Sequence, residues 1–182
     1  GKIYWTPALV VTVVALDFAT AESVPDRLLD GLWIDDTAVL FGSESVEFWP
    51  NTGDATAPIQ PLEGRVFSKG IKATGCATQW GETFAWVGSD NMVYANGDQP
   101  QPLTQPGMVA LIEASTVCSL WSFTWEGQDF LALRIDSRTF VYGNRNAKWS
   151  EFKSYGSDNF LAQCWADGVF GCSNGKTATF GT

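Results

Sequence analysis

Carboxylates are the residues of this chain with the clearest capacity for chemistry, since it holds 20 Asp and Glu. Two carboxylates can hydrolyse a glycosidic bond when they lie roughly 5–10 Å apart, one as acid and the other as base or nucleophile. The candidates, mostly in predicted turns, are Asp35, Asp36, Glu82, Asp90 and Asp136. Their spacing selects no such pair, and Asp35-Asp36 has no third metal ligand nearby. We therefore predict no enzyme, no catalytic residue and no metal site.

Histidine is absent from the chain, which excludes Ser-His-Asp and Cys-His catalysis and imidazole metal sites within it. The four cysteines are Cys76, Cys118, Cys164 and Cys172. None forms a Cys-x-x-Cys pair, which disfavours a zinc site. Each lies among apolar or small residues in or beside a predicted strand, so we predict buried free thiols, although the even number leaves disulfides open. No residue pattern indicates a cofactor.

Nine tryptophans raise an alternative class of function, a carbohydrate-binding propeller acting as a lectin or as a receptor-binding module. Aromatic rings beside polar turn residues can stack on sugars. The tryptophans in predicted strands, where packing between sheets is favoured over sugar binding, are Trp33, Trp49, Trp86, Trp121 and Trp165. Those near predicted turns, which are the better sugar candidates, are Trp80, Trp125 and Trp149.

The formal net charge of −9 and the pI of about 4.3 describe an acidic chain. Such a chain lacks the positive field that drives phosphate binding, so nucleic-acid recognition is disfavoured as the main activity. The acidity can also simply keep a β-rich protein soluble.

The elements that must position these residues are hairpins. The stretch Val39–Gly53 reads as two apolar strands around the turn Gly42–Ser45, and the pattern recurs at Phe84–Gly97. Glu44 and Asp90 occupy equivalent turns and are predicted to cap backbone amides. Looser copies follow at residues 130–143 and 169–180. Gly42 precedes Gly88 by 46 residues, and Tyr94 precedes Tyr142 by 48.

Periods of about 46 residues that each hold several short strands are typical of propeller blades. We therefore predict an all-β fold of antiparallel, propeller-like repeats, with one short helix at Met108–Ala114. The repeats form a single domain over residues 1–182, which is a piece of a larger propeller or is completed by other subunits. About four units fit, and the first and last look incomplete.

The opening segment holds an apolar run at residues 8–16 that loosely imitates a secretory signal. Trp5, Pro7 and Asp17 interrupt that pattern, and the Val and Thr content favours a buried strand. The run is too short to span a membrane.

Many short motifs in order give this chain a family resemblance over residues 16–116, with weaker agreement to the C-terminus. They are Asp17-Phe18-Ala19-x-Ala21-Glu22, Pro25-Asp26, Leu40-Phe41-Gly42, Glu47-x-Trp49, Asn51-Thr52-Gly53, Gly70, Trp86-Val87-Gly88 and Val93-Tyr94-x-Asn96-Gly97. In these residues the chain resembles the packaged-DNA stabilisation family of short-tailed phages, the tail accessory or nozzle proteins. Family members are usually much longer.

The resemblance implies a structural virion protein of the tail, assembled in the host cytoplasm. It would form a ring, a hexamer by the resemblance, beneath the portal, where it closes the filled head and forms part of the DNA exit channel. Its partners would be copies of itself, the portal or adaptor and other tail proteins, with channel DNA contacted weakly at most. For this implied role, one hypothesis is that a ring of acidic subunits repels DNA phosphates, so that the duplex slides through it. The family carries no catalytic residues. We expect the interfaces to use exposed sheet edges and the Pro-rich connections Asn51–Pro61 and Gly97–Pro106.

Overall fold

The computed structural model describes residues 2–4, 18–20, 26–54 and 57–180 of the 182-residue chain. The strand predicted over residues 8–16 lies outside this described part. The described residues divide into two compact units, one ending at Ile71 and one beginning at Lys72. The expectation of a single domain over residues 1–182 stays a prediction.

The first unit holds a two-stranded ribbon and a four-stranded antiparallel sheet. In the ribbon, β1 (Lys2–Tyr4) pairs with β2 (Phe18–Thr20). The strands of the sheet, in their order across it, are β3 (Leu28–Ile34), β4 (Thr37–Gly42), β5 (Val46–Pro50) and β6 (Val66–Phe67). Because neighbours in sequence are neighbours in the sheet, short turns suffice to connect β3, β4 and β5.

The two central strands of this sheet are buried on both faces. On one face, Ala38 and Leu40 pack with Trp49 and with Ile59 from the following connection. The residues that alternate with them, such as Phe41 and Phe48, fill the opposite face, where the Phe48 ring meets Phe67 edge-on at 5.1 Å. Burial on both faces explains why these strands read as continuous apolar runs, without the alternation of a half-exposed sheet.

A glycine fixes how the chain returns to the β4–β5 turn. The Ile71 amide donates to the Gly42 carbonyl at 2.8 Å, which brings Gly70 against the backbone of Ser43. A Cβ on Gly70 would lie 2.2 Å from that backbone, so only glycine fits there.

The second unit holds three antiparallel sheets and one helix. The strands of the second and third sheets are β7 (Ala77–Trp80), β8 (Thr83–Val87), β9 (Val93–Ala95), β10 (Gln101–Pro102), β11 (Cys118–Trp125), β12 (Gln128–Ile135), β13 (Arg138–Gly143) and β14 (Lys148–Phe152). The fourth sheet contains β15 (Ala162–Ala166), β16 (Val169–Cys172) and β17 (Thr177–Ala178). The helix, α1 (Pro106–Ala114), buries Met108 and Ile112, one turn apart.

Within this unit the sheets meet at their first strands, because β11 lies beside both β7 and β15. The Leu120 amide donates to the Gly75 carbonyl at 2.9 Å, and the Ser122 hydroxyl donates to the Gln79 carbonyl at 2.6 Å. The third and fourth sheets share an apolar core in which Trp121 stacks on Phe160 at 6.4 Å. Successive sheets that adjoin at their first strands are the arrangement of propeller blades.

The predicted repeats are confirmed. Each of the four repeated stretches is the hairpin between the second and third strands of one sheet: β4–β5, β8–β9, β12–β13 and β16–β17. Successive sheets begin at Leu28, Ala77, Cys118 and Ala162, in steps of 49, 41 and 44 residues. The helix is confirmed too, although it begins at Pro106, because proline is well suited to the first turn of a helix.

Three expectations were wrong in part. The first sheet is complete with four strands, while the last has three among the described residues. All four cysteines are free, but only Cys76 is buried, since Cys164 is exposed and the other two are half-buried. Asp90 caps its turn by accepting from the Met92 amide at 3.3 Å. In the equivalent turn between β4 and β5, the capping carboxylate is Asp26 and not Glu44. The Asp26 Oδ2 accepts from the Glu44 and Ser45 amides at 3.0 and 2.9 Å.

Candidate docking surface

An exposed tryptophan lies at one end of an aromatic row across the first sheet. Strand register places Trp33 beside Ala38, and Ala38 beside Trp49. Directly opposed residues of antiparallel strands point to the same face, so the two indoles flank a small alanine. Trp49 is buried, whereas Trp33 is 56% exposed.

The connection after β5 explains why the two ends of the row differ. Asn51 forms an isolated bridge with Ile59, and the Thr52 amide donates to the Pro58 carbonyl at 2.8 Å. These bonds fold the connection back so that Ile59 covers Trp49. The Trp49 indole is also held from within the sheet, because its Nε1–H donates to the buried Glu47 carboxylate at 2.9 Å.

An apolar groove with a volume of about 360 Å³ lies over the uncovered end of the row. We call it the Trp33 groove. It is lined by Ile3, Tyr4, Trp33, Ala38, Asn51, Pro58 and Ile59. Tyr4 is 47% exposed, so two large aromatic side chains of the lining are open to solvent.

The chemistry available in the Trp33 groove is binding by burial. Among the described residues that line it, Asn51 carries the one amide, and none carries a carboxylate, a thiol or a basic group. An incoming apolar side chain would gain free energy chiefly from the apolar surface that leaves water. The groove is formed partly by the Asn51–Pro61 connection, which the sequence indicates as an interface segment.

The carboxylates that could have formed a hydrolytic pair lie at separate turns. Asp35 and Asp36 form the β3–β4 turn, and Glu82 lies in the β7–β8 turn. Asp90 accepts from the Tyr94 hydroxyl at 2.6 Å, which occupies one of its oxygens in a local contact.

The pKa of Asp136 is shifted in the opposite direction to that of a general acid. Its Oδ1 accepts from the Val117 amide at 2.9 Å and from the Thr116 hydroxyl and amide at 2.9 and 3.1 Å. These hydrogen bonds lower the pKa of Asp136, and the one from the Val117 amide has the largest effect. A catalytic acid needs a raised pKa, so this carboxylate serves the turn.

The tryptophans favoured for sugar binding are engaged in packing. Trp80 is only 8% exposed at the edge of an open cleft that includes Glu82 and Asp129. The Trp125 ring meets Phe180 at 4.3 Å. The Trp149 ring meets Tyr142 at 5.3 Å while its Nε1–H donates to the Leu103 carbonyl at 2.8 Å. These contacts explain the aromatic residues near the turns by packing.

Among the five strand tryptophans, the packing interpretation was wrong for one. Trp49, Trp86 and Trp121 are buried, and Trp165 is half-buried against Phe170 at 4.6 Å. Trp33 is the exception and faces solvent. Sequence reasoning missed it because Trp33 and Trp49 have the same residue type and the same strand setting. What separates them is the packing of Ile59 against Trp49, which the local pattern does not give.

No group of three or more potential metal ligands occurs among the described residues. Within that same part of the chain, no helix is both long and apolar enough to cross a membrane.

Comparison with known proteins agrees with the four-sheet architecture. A phage stabilisation family model, described as bacteriophage P22 Gp10, beta-propeller, matches residues 11–181. That span leaves out only the first ten residues and the last one. No curated protein matches the chain. The matched family is a structural one and not a family of enzymes, and the chain belongs to this β-propeller family of phage stabilisation proteins.

Proposed function

We propose that this chain is a structural component of the phage tail that closes the DNA-filled head and forms part of the DNA exit channel. The observation that carries the proposal is the family match over residues 11–181. The geometry is compatible with it, because the apolar Trp33 groove is suited to docking and not to catalysis. The portal or adaptor and other tail proteins are the expected neighbours in the virion.

The partner that we assign to the Trp33 groove is a second copy of this chain. A ring needs two different patches on each subunit, because head-to-tail contacts place one patch against the other. The groove is a concave apolar patch. A projecting apolar group also exists, since Tyr155 is fully exposed, at 107%, next to the positive-φ Gly156.

The expected strength of this contact is modest for each interface. Burying a large aromatic side chain removes 150–250 Å² from water, at about 25 cal/mol per Å². Because Trp33 is 56% exposed and Tyr155 is fully exposed, the two together would contribute roughly 6–10 kcal/mol before the cost of association. A closed ring would gain from all its interfaces at once, so assembly should depend steeply on concentration.

Two aspartate variants test the head-to-tail contact. Trp33→Asp closes the groove to apolar groups, and Tyr155→Asp removes the projecting ring. Each variant alone should be monomeric by sedimentation velocity, because each lacks one of the two patches. An equimolar mixture should form a 1:1 dimer, since one intact groove then meets one intact tyrosine.

The matched control is Leu62→Asp, which adds the same charge at an exposed apolar residue outside the groove. It should sediment like the wild type. Wild-type assembly that survives both aspartate variants, or a mixture that stays monomeric while the wild type assembles, would refute the contact. Circular dichroism confirms that each variant is folded.

The role in the virion is tested by complementation. Phage that lack this gene are supplied with the wild type, Trp33→Asp or Leu62→Asp, and DNA-containing heads are counted by electron microscopy. The wild type and Leu62→Asp should restore full heads, and Trp33→Asp should leave mostly empty ones. Equal numbers of full heads with and without the wild-type gene would contradict the proposed function.

A further inference from the structure

We propose that Cys76 and Cys118 are a modification site, at which an intramolecular disulfide forms between the second and third sheets when the protein meets a low-molecular-weight disulfide such as oxidised glutathione. The proposal depends on the contact between two strands of one unit, not on the assembly of the tail.

The backbone holds the two residues close together. Cys76 immediately precedes β7, and Cys118 is the first residue of β11, the strand beside it. The Cys76 thiol donates to the Cys118 carbonyl at 3.2 Å. The backbone bond from the Leu120 amide to the Gly75 carbonyl, at 2.9 Å, fixes the strands at this level. Both thiols are free in the structure.

The surroundings give the two thiols different roles. The interaction with the neighbouring Cys76 thiol lowers the pKa of Cys118, and the Lys72 ammonium lowers it further, against the opposing effects of burial and of Asp136. The interaction with Cys118 and burial raise the pKa of Cys76. Cys118 is half-buried and Cys76 fully buried. Because the thiolate is the nucleophile, Cys118 is the thiol that reacts first.

The exchange occurs in two balanced steps. The Cys118 thiolate attacks one sulfur of oxidised glutathione, the glutathione S–S bond breaks, and one glutathione thiolate leaves. The Cys76 sulfur then attacks the Cys118 sulfur, the mixed disulfide breaks, and the Cys76 proton passes to the glutathione thiolate that leaves, which is released as a thiol. The two cysteines are oxidised, and one disulfide is reduced to two thiols.

The other two cysteines provide an internal contrast. Cys164 is aligned with Gly171, and its Sγ would lie 2.6 Å from a Cβ on that glycine, so both face the same side of the sheet. Cys172, the next residue, faces the opposite side and packs in the shared core beside Phe170. Two thiols on opposite faces of a sheet cannot bridge without backbone movement.

The test uses the full chain under native conditions. The protein is incubated with oxidised glutathione, and free thiols are blocked with N-ethylmaleimide. It is then cleaved after glutamate, because cuts after Glu82 and Glu113 place Cys76 and Cys118 on separate peptides. Mass spectrometry should find these two peptides linked, with the free thiols falling from four to two. Cys164→Ser/Cys172→Ser should form the same link, and Cys118→Ser should not.

Oxidation should also raise Tm. A disulfide that closes the loop from Cys76 to Cys118 lowers the entropy of the unfolded chain and so stabilises the folded state. We therefore expect Tm to increase by about 5–10 °C. Cys118→Ser should show no such increase. The proposal is overturned if the native protein gives only a glutathione adduct at Cys118, or if the 76–118 link forms only after unfolding in urea. A link through Cys164 would overturn it equally.

Discussion

Among the described residues, Asp26 and Asp136 each tie a turn to a segment of backbone that is distant in sequence. Asp26 accepts from two successive amides, of Glu44 and Ser45, and from the Ser45 hydroxyl at 3.0 Å. Asp136 accepts from the Thr116 and Val117 amides and the Thr116 hydroxyl. In both cases one oxygen receives three donors from a segment about 20 residues away, so the side chain substitutes for missing strand pairing.

The Asp136 contact predicts a pH-dependent stability. The hydrogen bonds place the folded-state pKa of Asp136 below its unfolded value of about 3.9. The stabilisation is therefore complete above that value and is lost as the pH falls through the lower, folded-state pKa. Asp136→Asn should lower Tm by roughly 1–3 °C at pH 7, because the group is exposed and its contribution is screened.

Thermal unfolding from pH 7 to pH 2.5 checks this prediction. The difference in Tm between wild type and Asp136→Asn should shrink toward the acid end. Thr116→Val removes one of the three donors and should weaken the same pH dependence. A difference in Tm that stays constant over the whole range would show that the charge of Asp136 plays no part.

At the scale of single residues, the sequence predicts which type of side chain a turn needs better than it predicts which residue supplies it. A carboxylate cap was predicted for the β4–β5 turn and is present, but it comes from Asp26 and not from Glu44. The turn pattern gives the need for an acceptor, since turn amides lack partners within the turn. It does not give which distant side chain supplies that acceptor, because this depends on the packing of residues 18 positions apart.

Two-residue turns recur as elements at the first hairpin of every sheet. They are residues 35–36, 81–82, 126–127 and 167–168. At least one residue in each has a positive φ. Such turns match the twist of antiparallel strands, and they favour Gly, Asn and Asp. Asp35-Asp36, Glu126-Gly127 and Asp167-Gly168 largely follow this preference, so these turns could be located from the sequence.

A pair of glycine-to-alanine variants tests the backbone requirement of these turns. Gly168 has a φ of 84°, and a Cβ there would meet no atom within 4 Å, so any cost of Gly168→Ala is a backbone cost. It should destabilise the chain by about 1 kcal/mol. Gly107, in α1, has equally open surroundings and no positive φ. Gly107→Ala should therefore stabilise by about 0.5–1 kcal/mol.

Urea unfolding measures both variants, and the midpoints should shift in opposite directions with an unchanged m value. A Gly168→Ala midpoint that does not fall would mean that the turn does not require its left-handed conformation.

The limits of prediction at the element scale follow from what each feature depends on. Hairpins and the helix depend on local patterns, whereas the exposure of Trp33 depends on which end of the aromatic row Ile59 covers.

For the whole molecule, the repeated unit could be predicted because each sheet repeats one hairpin at a nearly constant interval. The four-stranded composition of the first sheet could not be predicted, since its fourth strand, Val66–Phe67, is two residues long and follows an irregular connection. Two other short outer strands, Gln101–Pro102 and Thr177–Ala178, are exposed at both residues, so they carry little apolar signal. Burial concentrates in the central strands, where the predictions are accurate.

The net charge of the whole chain predicts that it binds DNA weakly. With −9 at pH 7, the free chain should bind duplex DNA weakly even at 50 mM salt, because few cations are present to release counterions from the phosphates. Fluorescence anisotropy of a labelled duplex should show little binding and little dependence on salt.

Glu63→Lys/Glu82→Lys/Glu113→Lys reverses three exposed carboxylates and brings the net charge to −3. This variant should bind measurably more tightly and with a steeper salt dependence. If the wild type bound tightly and lost affinity steeply between 50 and 200 mM salt, a local basic surface would dominate. The hypothesis of a channel wall that repels phosphate would then fail.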